Sequence, residues 1–290
     1  MKKTVKNSIL LNILAWIAFV VAFSGLATIL WQLIPNHNSL MGMKILQLLQ
    51  TIFVLLLPAV ILVYYSSDES IANYLCINKK PILRMALLAV LMALVAQPLI
   101  NYLSYLNHQL ELPEALAKWQ LWIEQQEQQL EMLTERFVRA DTVGELLFNI
   151  VLMALMPAIA EEVTFRGWLL RLFNKNSATF SHLSIWLTAI IFSAIHLQFL
   201  GFIPRMLLGA LLGYAFKWTK NLWIPILIHF TNNCFAVMAY FICNKNGISM
   251  DALEQIGVGS TVWITILSLL LTSASIYLLY KETNKNSFVL

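Results

Sequence analysis

Two adjacent carboxylates and an arginine stand inside a long apolar stretch of this sequence. The stretch PAIAEEVTFRGWLL, residues 157–170, contains Glu161, Glu162 and Arg166. Glu162 and Arg166 are four residues apart, so on a helix they share one face and can form a charge-assisted pair. Glu161 is offset from Glu162 by about 100° around the helix. We therefore expect Arg166 to neutralise Glu162, which leaves Glu161 as the better general base.

Two later stretches place further polar side chains one helical turn apart. FSAIH puts Phe192 and His196 four residues apart, and HFTNN does the same for His229 and Asn233. A lone histidine in a membrane helix more often bonds a neighbouring helix than a ligand. Together with the two glutamates, imidazole and amide groups suit activation of water and stabilisation of an oxyanion. The combination favours a hydrolytic site shared by three helices.

The elements that position these residues are predicted to lie in a membrane. Of the 290 residues, 59% are hydrophobic and 12% are charged, whereas a soluble domain carries about 25% charged residues. Apolar runs of about 18 residues or more are candidates for transmembrane helices. The sequence predicts an all-α, polytopic membrane bundle of about eight transmembrane helices. Their approximate bounds are 9–34, 44–65, 82–106, 145–173, 182–200, 203–218, 222–243 and 260–280.

The placement of lysine and arginine predicts the orientation of the chain. With the N-terminus inside, the cytoplasmic cations would be Lys2, Lys3, Lys6, Lys79, Lys80, Arg84, Arg171, Lys175, Lys217, Lys220, Lys281 and Lys285. The outer cations would be Lys44, Lys118, Arg136, Arg139, Arg205 and Lys245. This bias predicts a multi-pass inner-membrane protein with both termini in the cytoplasm. The net charge of +4 then reflects topology, and we expect no nucleic-acid partner.

The segment between the third and fourth spans predicts an amphipathic helix at about 113–138. Three-, four- and seven-residue spacings define its apolar face. That face consists of Leu116, Trp119, Ile123, Leu130, Leu133 and Phe137. The helix either lies on the outer surface or packs on the bundle, or it acts as a lid that gathers substrate. Residues 1–140 would then form the N-terminal spans, and residues 141–290 the catalytic membrane core.

The motifs Glu-Glu-x-x-x-Arg, Phe-x-x-x-His and His-x-x-x-Asn, in this order, carry a family resemblance. They resemble those of the CAAX protease and bacteriocin-processing family, also called the CPBP or Abi family, which includes the type II CAAX prenyl endopeptidases. The similar region runs from about Glu145 to Tyr240. The resemblance implies an intramembrane endopeptidase whose cavity is reached from the cytoplasmic side. Its partners would be the lipid bilayer and a membrane-associated protein or peptide substrate.

The same resemblance implies a role for each motif residue. Glu161 and His196 would activate the attacking water. His229 and Asn233 would bind the tetrahedral oxyanion, or His229 would help to hold a metal. The pair formed by Glu162 with its arginine, Arg166, would order the site.

A metal cofactor is left open by the residues. Members of the family are described both as metal-dependent and as using a glutamate-activated water. Glu161, His196 and His229 form a candidate set for a divalent metal such as zinc, although the H-E-x-x-H arrangement is absent from the sequence. The sequence therefore predicts either a metallo-type or a glutamate-type endopeptidase.

Two other classes of function fit the same features. The chain could be a catalytically silent immunity or binding protein on the same fold, or a transporter, because intramembrane charges also mark ion pathways. A transporter is expected to show paired broken helices in two halves, and the sequence shows no such pair. The complete set of polar motif residues favours the enzyme. Neither the oligomeric state nor prenylation of the substrate follows from the sequence.

Overall fold

The computed structural model describes residues 8–174 and 180–286, and these ranges are helical without any β-strand. The helices are α1 Ile9–Gln32, α2 Leu40–Ser66, α3 Ile71–Tyr74, α4 Leu83–Val95, α5 Gln97–His108, α6 Ala117–Val138, α7 Val143–Phe173, α8 His182–Ala194, α9 Phe202–Thr219, α10 Trp223–Asn246, α11 Met250–Glu254 and α12 Val262–Asn286. The predicted all-α class is confirmed. Four of the predicted cytoplasmic cations, Lys2, Lys3, Lys6 and Lys175, lie outside the described ranges.

The described helices make this a multi-pass membrane protein. Five helical stretches are long and apolar enough to cross a membrane, namely α1, α2, α7, α10 and the stretch Met250–Lys285. A sixth results if α4 and α5, which are bent by 42° at their junction, form one span. The prediction of about eight spans is not confirmed. Helix α8 has 13 residues, or about 20 Å, against a hydrocarbon core of about 30 Å, and α9 carries both Arg205 and Lys217.

Helix α7 contains two π-helical turns, Ile150–Leu155 and Val163–Leu169. The first directly precedes the turn with Pro157, whose ring clashes with the preceding turn and which has no amide hydrogen to donate. A wider turn relieves that clash. All seven residues of the second π turn are buried. This segment begins directly after the two glutamates, so the most enclosed part of α7 supports them.

The predicted amphipathic helix is present as α6, which begins at Ala117 after a short 3₁₀ turn. Its carboxylates turn partly toward the bundle, and the Oε1 atom of Glu127 accepts a hydrogen bond from the Leu200 amide at 3.0 Å. Trp119, expected on the packed face, is 61% exposed. Ile123, Leu130 and Phe137 are half-buried, whereas Leu116 and Leu133 are exposed. The predicted face therefore packs on the bundle only in part, because polar contacts with the loop after α8 help to set the helix's rotation.

The bundle has two ends that are held by different contacts. At one end, called the lysine end after Lys79 and Lys80, the amide of Leu222 donates to the Cys76 carbonyl at 3.2 Å. The opposite end, called the α6 end, joins α5 to the loop before α9. There the Nδ2 atom of Asn107 donates to the Leu200 carbonyl at 2.7 Å. These contacts close both ends around the middle of the bundle, where the polar motif residues lie.

Candidate active site

Helix α7 places the two glutamates next to each other in different surroundings. Glu162 is fully buried, whereas the side chain of Glu161 is 12% exposed. They close a regular helical segment, Met156–Glu162, and the π turn follows at once. π turns inside α-helices are frequent at functional sites because they re-aim side chains. The two carboxylates therefore point to separate partners although they are neighbours in the chain.

Glu162 is held by Arg166, as the four-residue spacing predicts. Arg166 is 1% exposed, and its Nη1 atom donates to Glu162 Oε1 at 2.7 Å. Its Nη2 atom donates to the carbonyl oxygen of Gly209 on α9 at 2.8 Å. A buried charge without a partner is costly, and here the guanidinium has a carboxylate and a carbonyl as acceptors. The arrangement ties α7 to α9 beside the site.

The ring of Phe192 on α8 packs among the charged and imidazole groups. The Arg166 guanidinium lies 4.8 Å from the centre of this ring, within the range of a cation–π contact. The imidazoles of His196 and His229 meet the same ring in edge-on geometry, at 5.2 and 5.9 Å between centroids. Phe192 therefore positions three polar side chains and is the structural partner in the Phe-x-x-x-His motif.

His196 lies just beyond the last residue of α8 and is oriented by its own helix. Its Nδ1 atom is 2.7 Å from the carbonyl oxygen of Phe192. Because a carbonyl oxygen can only accept, Nδ1 carries the hydrogen and donates it. The Nε2 atom of His196 then presents a lone pair, and it lies 4.0 Å from Glu161 Oε2. This nitrogen is available to accept a proton or a hydrogen bond.

His229 on α10 is oriented by the carboxylate of Glu162. Its Nδ1 atom is 2.9 Å from Glu162 Oε1, the oxygen that also accepts from Arg166. The carboxylate accepts, so Nδ1 of His229 carries a hydrogen and donates it. The Nε2 atom of His229 lies 3.8 Å from Glu161 Oε2. Glu162 thus fixes the ring of His229 toward its neighbouring glutamate.

The Oε2 atom of Glu161 is the meeting point of the site. It is enclosed and has no hydrogen-bond partner among the described residues. Two imidazole nitrogens approach it, at 3.8 Å from His229 and 4.0 Å from His196. Separations of this size are too long for direct hydrogen bonds, but one water bonded to two such acceptors would bridge them. The geometry suits a water held between Glu161 and an imidazole.

The candidate metal set does not form a metal site among the described residues. Glu161, His196 and His229 converge. Among the described residues, however, there is no group of three or more His, Cys, Asp or Glu side chains that could hold a metal ion. The separations of 3.8 and 4.0 Å exceed the spacing of about 3.3 Å that tetrahedral zinc–nitrogen bonds impose. As placed, these three residues do not have the spacing of zinc ligands.

Asn233 lies one helical turn beyond His229 on α10 and belongs to an amide chain. The Nδ2 atom of Asn232 donates to the Oδ1 atom of Asn233 at 3.3 Å. The Oδ1 atom of Asn232 in turn accepts from Gln97 Nε2 at 3.1 Å. The sixth predicted site residue is therefore linked to α5 through Asn232, and among the described residues no hydrogen bond joins it to Glu161.

A cavity of about 690 Å³ lies under α6, next to the cluster. Its lining includes Gln198, two residues after His196, and Arg205, whose Nη2 atom donates to Gln198 Oε1 at 2.5 Å. The carboxylates that line the cavity are Glu124, Glu127, Glu131, Asp251 and Glu254. On the predicted topology this is the outer side, whereas the resemblance implies access from the cytoplasm.

Sequence reasoning missed two residues of this region. Arg205 was assigned only as an outer cation, although it lines the cavity and binds Gln198, two residues after His196. Gln97 was not singled out, although a polar side chain directly before Pro98 in an apolar run is a signal of a broken helix. Neither residue belongs to the motifs, and the side-chain partner of Gln97, Asn232, lies 135 residues away.

The comparisons with known proteins agree with this site. Residues 143–235 match the family model described as type II CAAX prenyl endopeptidase Rce1-like. An uncharacterized protein of Bacillus subtilis (strain 168), YpbD, is 34% identical over 86 residues, which are 28% of this chain and 40% of that relative. The chain thus spans less than half the length of this relative. No solved structure matches the present chain. The resemblance to the CAAX protease family is confirmed for residues 143–235, which include all three motifs.

Proposed function

We propose that this protein is a CAAX protease-type intramembrane endopeptidase of the glutamate type. It hydrolyses a peptide bond in a membrane-associated protein or peptide. The observation that carries the proposal is the convergence of His196 Nε2 and His229 Nε2 on Glu161 Oε2, at 4.0 and 3.8 Å. The match of residues 143–235 to the type II CAAX prenyl endopeptidase family supports the same reaction class.

The first step is activation of water by Glu161. A water between Glu161 Oε2 and His196 Nε2 donates one hydrogen to each, so its oxygen lone pair points away from both acceptors. Glu161 takes one proton as the water attacks the substrate carbonyl carbon. His196 keeps its orientation because Nδ1 is bound to the Phe192 carbonyl at 2.7 Å. A carbon–oxygen bond forms, and the carbonyl electron pair moves to the oxygen.

The second step uses His229 as a proton carrier and donor. The proton on Glu161 passes to the Nε2 atom of His229, whose imidazolium is stabilised through Nδ1 by the Glu162 carboxylate 2.9 Å away. His229 then gives the proton to the leaving amine as the carbon–nitrogen bond breaks and the oxyanion's electron pair re-forms the carbonyl, a proton-donor role that imidazole also has in other proteases. Asn233 donates to the oxyanion in the intermediate. Arg166 holds the Glu162 carboxylate in place through its bond of 2.7 Å.

The proposal is tested by comparing membrane peptides from cells with the wild-type protein and with Glu161→Gln. The substitution keeps the size of the side chain and removes its basicity. Peptides cut only by the wild type, at equal expression, support the enzyme and identify its substrates. A wild type that cuts nothing, or equal cutting by both proteins, contradicts the proposal, and the first of these results is the one expected of a catalytically silent binding protein.

A further inference from the structure

Gln97 starts a chain of three side-chain amides that ends at the proposed oxyanion donor. Its Nε2 atom donates to the Oδ1 atom of Asn232 at 3.1 Å, and the Nδ2 atom of Asn232 donates to Asn233 Oδ1 at 3.3 Å. We propose that Gln97 is a positioning residue that fixes the direction of the Asn233 amide through Asn232. This inference rests on the proposed function, because the orientation of the Asn233 amide matters only if its NH₂ group binds the oxyanion.

The direction of the chain is set by one backbone group. The Nε2 atom of Gln97 also donates to the carbonyl oxygen of Ala93 at 2.9 Å. A carbonyl oxygen can only accept, so the nitrogen end of the Gln97 amide must face it. The same nitrogen has a second hydrogen, and the partner of that hydrogen must be an oxygen. Asn232 therefore turns its oxygen to Gln97 and its nitrogen to Asn233.

The last amide in the chain inherits this orientation. Asn233 receives a hydrogen on its oxygen from Asn232, so its NH₂ group points away from Asn232 with both hydrogens available. An amide free to rotate would present its oxygen to the oxyanion in part of the molecules, which would repel it. A donor held in the correct direction costs no reorganisation during the reaction. Ala93, Gln97 and Asn232 together provide that preorganisation.

The broken span holds Gln97 in place. Helices α4 and α5 meet at a bend of 42°, and Pro98 follows Gln97 directly. The bend frees backbone carbonyls inside an apolar layer, where side chains must satisfy them. The Gln97 side chain binds Ala93, and the hydroxyl of Ser268 on α12 donates to the Val95 carbonyl at 2.5 Å. The helix break and the amide chain are therefore parts of one structure.

The test uses an isosteric change in the middle of the chain. In Asn232→Asp the new carboxylate still accepts from Gln97 but cannot donate, so the Asn233 amide reverses and turns its oxygen to the site. Asn232→Ala only releases the Asn233 amide. We expect kcat at pH 8 to fall by about 10²–10³-fold in Asn232→Asp, as in Asn233→Ala, and by about tenfold in Asn232→Ala. KM stays within about twofold, because only the transition state uses the donor.

A double-substitution cycle separates positioning from general damage. In an Asn233→Ala background, Asn232→Asp and Gln97→Leu should cause little further loss of kcat, since the group that they position is gone. Losses that multiply in the double variants, or a milder effect of Asn232→Asp than of Asn232→Ala, would overturn the inference while leaving the proteolytic activity of the wild type in place.

A second measurement does not depend on activity. In protein labelled with ¹⁵N-asparagine, Gln97→Leu should shift the side-chain amide resonances of both Asn232 and Asn233 but leave those of buried Asn149 unchanged. Unchanged resonances of Asn233 would refute the coupling even if the wild type cleaved no peptide. A wild type without any activity would by itself count against the proposed function only, because the resonances report the amide chain separately.

Discussion

At the scale of single residues, the site separates two adjacent carboxylates by giving them different partners. Glu162 Oε1 accepts from both Arg166 and His229, at 2.7 and 2.9 Å, whereas Glu161 Oε2 has two imidazole nitrogens near it and no direct hydrogen bond. A carboxylate that is already paired with a cation is a poor base, and one without such a partner retains its proton affinity. The chemistry is therefore assigned to Glu161 and the support to Glu162.

This division predicts the effect of removing Arg166. Arg166→Ala should destabilise the protein by about 3–5 kcal/mol, because it leaves the buried Glu162 charge without its cation. Unfolding of the purified protein in mild detergent measures this loss. Arg84→Ala is the matched control, since Arg84 is 71% exposed in its ion pair and such pairs contribute about 0–1 kcal/mol. Equal destabilisation by the two changes would refute the assigned role of Arg166.

The pair within α7 could be predicted from sequence, whereas the longer-range contacts could not. A separation of four residues on one helix brings Glu162 and Arg166 together regardless of how the bundle packs. The contact of His229 with Glu162 spans 67 residues, and that of Gln97 with Asn232 spans 135. These depend on which helices are neighbours, and periodicity within one helix carries no such information.

At the scale of helices, α9 approaches the site closely because Gly209 has no side chain. A Cβ atom at this position would lie 3.1 Å from a ring carbon of Phe192 and 3.3 Å from Ala189 Cα. The exposed carbonyl of Gly209 is also the second acceptor of Arg166. Small residues let membrane helices approach one another. The close approach of α8 and α9 thus serves both packing and the orientation of the arginine.

Gly209→Val should therefore weaken the fold and the activity together. The added methyl groups push against Phe192 and move the carbonyl that binds Arg166, and overpacking of this kind costs about 1–3 kcal/mol. Gly25→Val is the control, because no heavy atom lies within 4 Å of a Cβ added at Gly25. Melting temperature and cleavage rate should both fall only for Gly209→Val. A normal melting temperature for that variant would contradict the packing account.

Element types followed from the sequence more readily than their roles in the membrane. The apolar runs and the amphipathic pattern predicted helices at the correct places, including α6. The number of spans did not follow, because α8 is short and α4 breaks before α5 at Gln97 and Pro98. Hydropathy detects the length of an apolar segment. A bend depends on which donors bind the backbone carbonyls that it frees, as the Ser268 hydroxyl binds the Val95 carbonyl.

At the scale of the whole molecule, the two ends of the bundle differ in charge. The lysine end carries Lys79, Lys80 and Lys220, while the lining of the cavity at the α6 end has five carboxylates and one arginine, Arg205. Cytoplasmic loops are enriched in lysine and arginine, so we predict that the lysine end faces the cytoplasm. The cavity under α6 then opens on the outer face, and we predict that water and substrate reach the site from there.

Cysteine labelling from each side of the membrane tests this orientation. In a variant without Cys76, Cys234 and Cys243, Thr134→Cys places a thiol on the exposed lining of the cavity, and Lys79→Cys places one at the opposite end. A water-soluble thiol reagent added outside should label only the Thr134→Cys variant. Labelling of that variant solely from the cytoplasmic side would reverse the predicted topology, in agreement with the access that the family resemblance implies.

The role of Glu161 as general base is tested by the cleavage rate of purified Glu161→Gln, measured on a substrate that the wild type cuts. Loss of a general base lowers rates by about 10²–10⁴-fold, so the account predicts a fall of that size. The melting temperature should match that of the wild type, since Glu161 Oε2 makes no hydrogen bond to be lost. Glu69→Gln, at an exposed carboxylate in the loop before α3, serves as control and should cleave normally. A Glu161→Gln protein that cleaves at more than about a tenth of the wild-type rate would show that Glu161 is not the general base.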